Sequence, residues 1–324
     1  TICLCYSWKT YVRNDDWNTP LKLFKSATEV VPKSCKAWIC LGTAYKELGD
    51  YDKTRQMISK SLEIKSDFAG AYYLLGTLEE DLGNIDAAIH NLELTIQHSL
   101  YTEFKPDMLR IALNNVGVMH WKIKKNTKQG LHAFTEGLKL SPNNYALNAN
   151  IGELYSNLGK FNLAIKHYKI AQAQKPNSNA DFINNLAIAI YQKNIQKGGE
   201  ERGNMVLPKI LSLYQKAISI NKYHYNSNLN IGKIFYRKKQ FEKVITHLNN
   251  ALQDKNAKES EKNYAEVYDL LGRAHLHNRN YEEAINILSK GIADIKKRDG
   301  HLHKNKMLKR LIGNLQAAKS AVVN

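Results

Sequence analysis

The stretch YALNANIGELYSNLGKFNLAIKHYKIAQAQKP, residues 145–176, decides the fold. With Tyr145 counted as position 1, small residues stand at position 8 (Gly152) and position 20 (Ala164), where two antiparallel helices would cross closely. Gly159 at position 15 predicts a left-handed end to the first helix, and Pro176 predicts the end of the second. Because such a hairpin cannot bury its apolar face alone, the stretch predicts similar hairpins on either side.

Those neighbours are found by aligning on positions 7 and 8. Seven units run from about residue 35 to about residue 297, and the six beyond the one quoted carry Leu41-Gly42, Leu75-Gly76, Val116-Gly117, Leu186-Ala187, Ile231-Gly232 and Leu271-Gly272. The pattern resembles the tetratricopeptide (TPR) family. The resemblance implies an all-α fold: a right-handed TPR superhelical solenoid of about seven repeats with a leading half-repeat and a C-terminal capping helix.

We divide the chain into four parts on this register. Residues 1–10 are interpreted as the tail of a possible upstream membrane helix, 11–34 as a leading half-repeat, 35–298 as the TPR array and 299–324 as a capping helix. The third repeat has one extra residue, which we place in its inner loop near residues 124–128. The fifth is interrupted by QKNIQKGGEERGNM, residues 192–205, which we interpret as a Gly-rich polar loop.

Composition sets outer limits on function. The 324 residues carry 47 Lys and Arg against 30 Asp and Glu, a net charge of +17. That surplus is scattered in short runs without an RNA-binding signature, so we interpret it as a solvated surface and expect no specific nucleic-acid partner. No stretch approaches the roughly 18 to 20 apolar residues that a membrane helix needs.

Chemistry-bearing motifs are not apparent on the repeats. The sequence contains no GxSxG, P-loop or HExxH motif, so no catalytic residue and no cofactor are expected. The pairs His275/His277 and His301/His303 lack cysteine partners nearby, and no metal site is predicted. All four cysteines lie within the first forty residues, and we interpret them as free thiols.

The most specific functional signal is a series of asparagines at position 6 of four consecutive repeats: Asn115, Asn150, Asn185 and Asn230. This resembles the asparagine ladder of the O-GlcNAc transferase TPRs, and the resemblance implies a groove that binds a protein or peptide partner. A carboxamide offers donors and an acceptor that match a peptide group. Trp121, Tyr191 and Tyr236 at position 12 could then pack against ligand side chains. The alternative is that the asparagines are tolerated polar residues and the aromatic residues are part of the groove wall.

Position 5 argues against a second known arrangement, the two-carboxylate clamp that grips chaperone C-termini, which needs a basic residue there. No lysine occurs at this position, which reads Ile39, Tyr73, Asn114, Ala149, Asn184, Leu229 and Asp269.

The segment before the repeats is similar to the junction in the transmembrane and TPR-containing O-mannosyltransferases (the TMTC family). The matching residues are Arg13, Asn14, Trp17, Leu23, Phe24, Pro32 and Lys36. The resemblance implies that the chain is the acceptor-recognition part of such an enzyme, in the endoplasmic reticulum lumen and tethered to the membrane upstream of residue 1. The alternative is a free-standing cytosolic or ciliary TPR adaptor scaffold with no enzymatic link.

Overall fold

The computed structural model describes residues 18–99, 106–175, 179–255, 261–298 and 306–323. The expected membrane-helix tail at 1–10, the matching residues Arg13, Asn14 and Trp17, and the helix stop at Pro176 lie outside these ranges. Within them every regular element is a helix and none is a strand, which confirms the all-α prediction.

The α-helices follow one another as hairpins. Their bounds are α1 Pro20–Val30, α2 Cys35–Glu47, α3 Tyr51–Ile64, α4 Ala69–Asp81, α5 Ile85–Ser99, α6 Pro106–Val118, α7 Thr127–Leu140, α8 Tyr145–Asn157, α9 Phe161–Gln174, α10 Ala180–Met205, α11 Leu207–Ile220, α12 Tyr225–Arg237, α13 Phe241–Leu252, α14 Glu261–His277, α15 Tyr281–Arg298 and α16 Lys306–Val323. The even-numbered helices from α2 to α14 are the first helices of the seven repeats, and the odd-numbered helices from α3 to α15 are the second.

The turn in six of the seven hairpins contains one residue in the left-handed region. Glycine supplies it at position 15 in the first, second and fourth repeats, where Gly49, Gly83 and Gly159 have φ of 76°, 78° and 70°. In the sixth and seventh repeats Lys239 (φ 57°) and Arg279 (φ 61°) adopt the same conformation at the same position. The hairpin geometry therefore persists where the glycine signal is absent from the sequence.

The small residue at position 8 lies where the two helices of a hairpin are closest. A Cβ on Gly76 would lie 2.8 Å from Leu92 Cγ, and a Cβ on Gly272 would lie 2.5 Å from Leu288 Cγ. Both leucines are fully buried. These approaches are shorter than van der Waals contact, so only glycine fits at these crossings, as the register predicts.

The chain forms two units, Thr1–Leu154 and Tyr155–Asn324. In the first unit, α1 packs on α2 and the hairpins α2–α3, α4–α5 and α6–α7 stack in sequence order. In the second unit, α9 to α15 stack in the same way, and α16 packs on both α14 and α15. Each unit thus has the hairpin stacking of a TPR solenoid.

The extra residue of the third repeat is accommodated in a π-helical turn, Met119–Ile123, that continues α6. The left-handed residue that follows is Lys125 (φ 57°), at position 16 instead of 15. The insertion therefore lies in the last turn of the first helix, earlier than the loop at 124–128 where we predicted it. Each inserted residue rotates those after it by about 100° around the helix axis.

The prediction of a polar loop at 192–205 is wrong. These residues extend α10, which is interrupted only at Gly198 and at Gly199 (φ 65°, ψ −162°). Beyond this break the helix folds back onto the residues before it. A Cβ on Gly203 would lie 2.9 Å from Ile195 Cγ1 and 3.1 Å from the Tyr191 ring. The inserted residues are rich in Gln, Lys and Glu, which are good helix formers, so only the adjacent glycines break the helix.

The C-terminal helix α16 packs as the first helix of a further repeat would. Leu308, Leu311 and Ala318 are buried against the end of the second unit. Gln316 and Lys319 are exposed on the side where a second helix would pack. The part of the second unit that the structure describes thus ends in a helix whose remaining face carries polar residues.

Candidate functional site

The four position-6 asparagines lie on the first helices of four repeats. Asn115 is on α6 and Asn150 on α8, both in the first unit, while Asn185 is on α10 and Asn230 on α12, both in the second. All four side chains are half-buried. Each unit therefore contains two of the predicted peptide-binding carboxamides.

In the first unit the two asparagines are joined through a third, Asn114 at position 5. Asn150 Nδ2 donates to Asn114 Oδ1 at 2.8 Å, and Asn114 Nδ2 donates to Asn115 Oδ1 at 3.4 Å. Tyr73, at position 5 of the preceding repeat, also forms a side-chain hydrogen bond with Asn115. The polar groups thus link three consecutive first helices.

The second unit repeats this arrangement. Asn230 Nδ2 donates to Asn184 Oδ1 at 3.0 Å, and Asn184 Nδ2 donates to Asn185 Oδ1 at 3.3 Å. Asn184 is buried and also accepts from the Ser227 hydroxyl at 3.5 Å. We call each bond from a position-6 side chain to position 5 of the preceding repeat a rung. Part of the hydrogen-bonding capacity of these asparagines is therefore used within the protein.

A further rung joins α16 to the seventh repeat. Asn314 Nδ2 donates to Asp269 Oδ1 at 2.7 Å, and Asp269 is the position-5 residue of α14. The other carboxylate oxygen pairs with Arg310 at 3.0 Å and Arg273 at 3.3 Å. Burial raises the pKa of the Asp269 carboxyl, against the opposing effect of the two guanidinium groups. Asp269 thus binds α16 from position 5 of the seventh repeat, the position that is asparagine in the third and fifth repeats.

The predicted aromatic residues behave differently from one another. Trp121 is only 7% exposed, and its ring meets Phe134 edge-on at a centroid distance of 6.3 Å. It is a core residue, so the expectation that its ring packs against a ligand is not supported. The π-helical turn explains this, because it rotates Trp121 away from the surface that position 12 occupies in a regular repeat.

Tyr191 and Tyr236 remain half-buried at position 12. Tyr191 Oη accepts from Arg237 at 3.0 Å, and Tyr236 Oη accepts from Arg273 at 2.7 Å. The Arg273 guanidinium also lies 4.6 Å from the centroid of the Tyr236 ring. These bonds hold both rings in fixed positions on the first-helix surface of the second unit.

The first unit contains a groove that the sequence did not predict. Its volume is about 900 Å³, and it lies along the first helices α2 and α4 and the start of α6. Its apolar lining comprises Ile39, Cys40, Phe68, Leu74, Met108 and Ile111. Position 2 of the second repeat, Gly70, also borders it, and a Cβ there would lie 2.9 Å from the Phe68 ring. The groove could accept apolar side chains of an extended segment.

Charged residues border this groove in nearly balanced numbers. Lys46 and Asp81 form an ion pair at 2.8 Å across neighbouring repeats. Lys36, Glu47 and Asp107 also contribute to the lining. Burial raises the pKa of the Cys40 thiol, which disfavours the reactive thiolate. The groove is therefore suited to apolar contact more than to charge recognition or thiol chemistry.

The signal for this groove was present at positions 2, 5, 6 and 9. Ile39 and Tyr73 at position 5 are apolar residues on the first helices of the first two repeats. Together with Cys40 and Leu74 at position 6 they form an apolar surface, on the same helix positions that carry amides in later repeats. A search for asparagine alone could not find it.

The stacked hairpins, with glycines at their crossings, define a TPR solenoid. The family model of the tetratricopeptide repeat matches residues 36–68, 69–96, 145–178 and 265–293. The chain therefore contains tetratricopeptide repeats at these residues, and this fold supports a role in binding other proteins. No helix in the described ranges is long and apolar enough to cross a membrane.

Among characterised proteins, the chain is similar to Protein O-mannosyl-transferase TMTC3 of Homo sapiens. The two are 23% identical over 269 residues, which cover 79% of this chain and 28% of TMTC3. The chain thus matches only about a quarter of the length of that relative.

The fold is also found in a solved structure. A chain of the APC/C hetero-tetramer Cut9-Hcn1 has a TM-score of 0.56 with 18% identity, covering 80% of this chain and 46% of that one. YrrB, described as a TPR protein with an unusual peptide-binding site, has a TM-score of 0.46 with 19% identity, covering 63% of this chain and 95% of its own.

Proposed function

We propose that the first-helix surface of this protein binds an extended segment of a partner polypeptide. The observation that carries the proposal is the groove of about 900 Å³ along α2, α4 and the start of α6. Its apolar lining suits side chains of the partner, and the position-6 asparagines suit the partner's peptide groups. In this interpretation Asn115, Asn150, Asn185 and Asn230 bind the backbone, and Tyr191 and Tyr236 contact side chains.

The partner in this proposal is an acceptor protein for O-mannosylation. Support comes from the similarity to TMTC3 over 79% of the chain and from the residues at 13–36 that match the TMTC junction. The chain would then act as the recognition part of a TMTC-like mannosyltransferase in the endoplasmic reticulum lumen. The membrane tether and the catalytic part would lie upstream of residue 1.

Binding can be tested with a displayed library of random peptides selected on the purified protein. We expect wild type to select peptides with apolar residues. Thr43→Arg should lose them, because Thr43 is exposed in the groove and the longer charged side chain would fill it. Ser59→Arg is the matched control, since Ser59 is exposed on the second helix α3. Equal binding by wild type and Thr43→Arg would contradict binding in this groove.

The enzymatic link has a separate test. Transcript sequence upstream of the codon for Thr1 should encode several hydrophobic spans if the chain is part of a membrane enzyme. A full-length transcript without them would contradict the TMTC-like assignment and favour the free-standing adaptor.

A further inference from the structure

Asn114 and Asn184, at position 5, each accept a hydrogen bond from one position-6 asparagine and donate one to another. We call the position-6 residues Asn115, Asn150, Asn185 and Asn230 the ladder asparagines. Asn184 accepts from Asn230 of the next repeat and donates to Asn185 beside it, at 3.0 Å and 3.3 Å. Asn114 does the same between Asn150 and Asn115, at 2.8 Å and 3.4 Å. The same three-residue network therefore occurs twice, at separate places in the chain.

In this network each position-6 carboxamide uses one end for a partner asparagine, so the opposite end remains available. Asn185 uses its oxygen in the network, which leaves its amide hydrogens for a ligand. Asn230 uses an amide hydrogen, which leaves its oxygen. Turning either carboxamide over would place two donors or two acceptors against each other, at a cost comparable to a lost hydrogen bond. Asn115 and Asn150 follow the same order in the first unit.

The network depends on the residue at position 5. Where position 5 is Leu229, the position-6 residue of the next repeat is Leu270, and both side chains are buried. The pairs Asn114-Asn115 and Asn184-Asn185 are thus adjacent amides in which one residue lies at the ladder position and the other lies behind it. Asn184, only 2% exposed, is too buried to be a principal ligand contact.

We propose that Asn114 and Asn184 are positioning residues for the polypeptide ligand, which makes the proposal dependent on the proposed function. They hold successive ladder asparagines in opposite orientations. Asn185 then donates to a carbonyl oxygen of the extended partner, and Asn230 accepts from one of its backbone N–H groups. Asn115 and Asn150 take the same roles in the first unit, where Asn115 also bonds to Tyr73.

The test compares position-5 variants using peptides that wild type selects from the random library. Asn184→Leu keeps the approximate volume and removes both bonds, while Asn184→Asp keeps the acceptor for Asn230 and removes the donor to Asn185. We expect each to weaken peptide binding about tenfold, since one or two carboxamides lose their orientation. Asn249→Asp on the exposed face of α13 adds the same charge in the same unit and should bind like wild type. Circular dichroism would show that each variant is folded.

A second measurement needs no ligand. In the free protein, NMR relaxation of the side-chain amide groups of Asn185 and Asn230 reports how far each carboxamide rotates about its Cβ–Cγ bond. This rotation should be restricted in wild type and freer in Asn184→Leu. Unchanged rotation, or unchanged peptide binding in both Asn184 variants, would overturn the positioning role and leave the proposed function intact. If wild type selects no peptides at all, peptide binding itself fails, and the ligand role of Asn114 and Asn184 fails with it.

Discussion

Positions 5 and 6 of the first helices carry apolar residues in repeats one and two and mainly asparagines in repeats five and six. At positions 5 and 6 the earlier pair presents Ile39, Cys40, Tyr73 and Leu74, which line an apolar groove. At the same positions the later pair presents Asn184, Asn185 and Asn230, which form a hydrogen-bonded network, together with Leu229. The comparison teaches that the fold depends on the helix crossings, while positions 5 and 6 can change from apolar to polar without altering it.

Replacing an apolar residue of repeats one and two by asparagine should have the largest effect on stability. Leu74 is 4% exposed and belongs to the core cluster of the first unit with Ile58 and Phe68. Leu74→Asn loses buried apolar area and buries an amide without a partner, so we expect a loss of about 4 kcal/mol in the free energy of unfolding. Urea denaturation followed by circular dichroism measures this. A loss below about 1 kcal/mol would show that the apolar surface is not part of the core.

The helix crossings should be equally sensitive in both units. A methyl group at Gly272 would lie 2.5 Å from the buried Leu288, and one at Gly76 would lie 2.8 Å from the buried Leu92. We expect Gly272→Ala and Gly76→Ala each to cost about 2 kcal/mol. Gly313→Ala is the control, because nothing lies within 4 Å of its Cβ and alanine favours helix. If the two crossing variants matched this control in thermal stability, the register would be wrong.

A buried acid should give the first unit a pH dependence. Burial works against ionisation of Glu79, but Asn84 at 2.8 Å and Arg55 at 2.7 Å outweigh it and hold the pKa of its carboxyl below the ordinary value of 4.5. The stabilisation is therefore present above that value and is lost as pH falls through the folded-state pKa. In Asp269 the pKa is raised, so its contribution is instead lost as pH rises.

Glu79→Gln tests this assignment. The variant should be less stable than wild type by about 1.5 kcal/mol at neutral pH, and this difference should shrink as pH falls below 4.5, because the wild-type carboxylate is then progressively protonated. Urea melts at several pH values measure the difference. A difference that stayed constant with pH would rule out the carboxylate as its source.

The smallest effect on stability is expected when an asparagine of repeats five and six is replaced by an apolar residue of the kind found in repeats one and two. Asn230→Leu removes one bond to Asn184, but Asn184 Oδ1 still accepts from the Ser227 hydroxyl. Asn230 is only half-buried, so we expect a change of about 1 kcal/mol or less in stability. A loss near that of Leu74→Asn would mean that the amide network is a structural requirement of the second unit.

Much of the fold could be predicted from the sequence because the small residues at helix crossings recur at position 8 of every repeat. The hairpins around Gly76 and Gly272 were predicted from that trace, and their crossings have the expected geometry. The prediction of a loop at 192–205 fails because glycine in a sequence does not by itself indicate a loop. A pair of glycines breaks a helix at one point only, and good helix formers continue it on both sides.

The candidate site was less predictable because it depends on rotation and on neighbours. One inserted residue turned Trp121 into the core, and sequence spacing alone does not show whether an insertion lies in a loop or in a helix. The rungs join residues 36 to 46 positions apart, such as Asn114 with Asn150 and Asn184 with Asn230. Their amide orientation is decided by these partners, which only the folded chain brings together.

The helix α16 also limits which helix could pack against it. It has the buried residues and the rung of a first helix, so a second helix packed on it would complete an eighth hairpin. Gln316 stands where the other repeats have glycine or alanine, and its side chain would obstruct a new crossing. Ile312, 37% exposed, would gain an apolar partner from the added helix. Such a hairpin therefore requires a small residue in place of Gln316, while the contacts of α16 to Asp269 could remain.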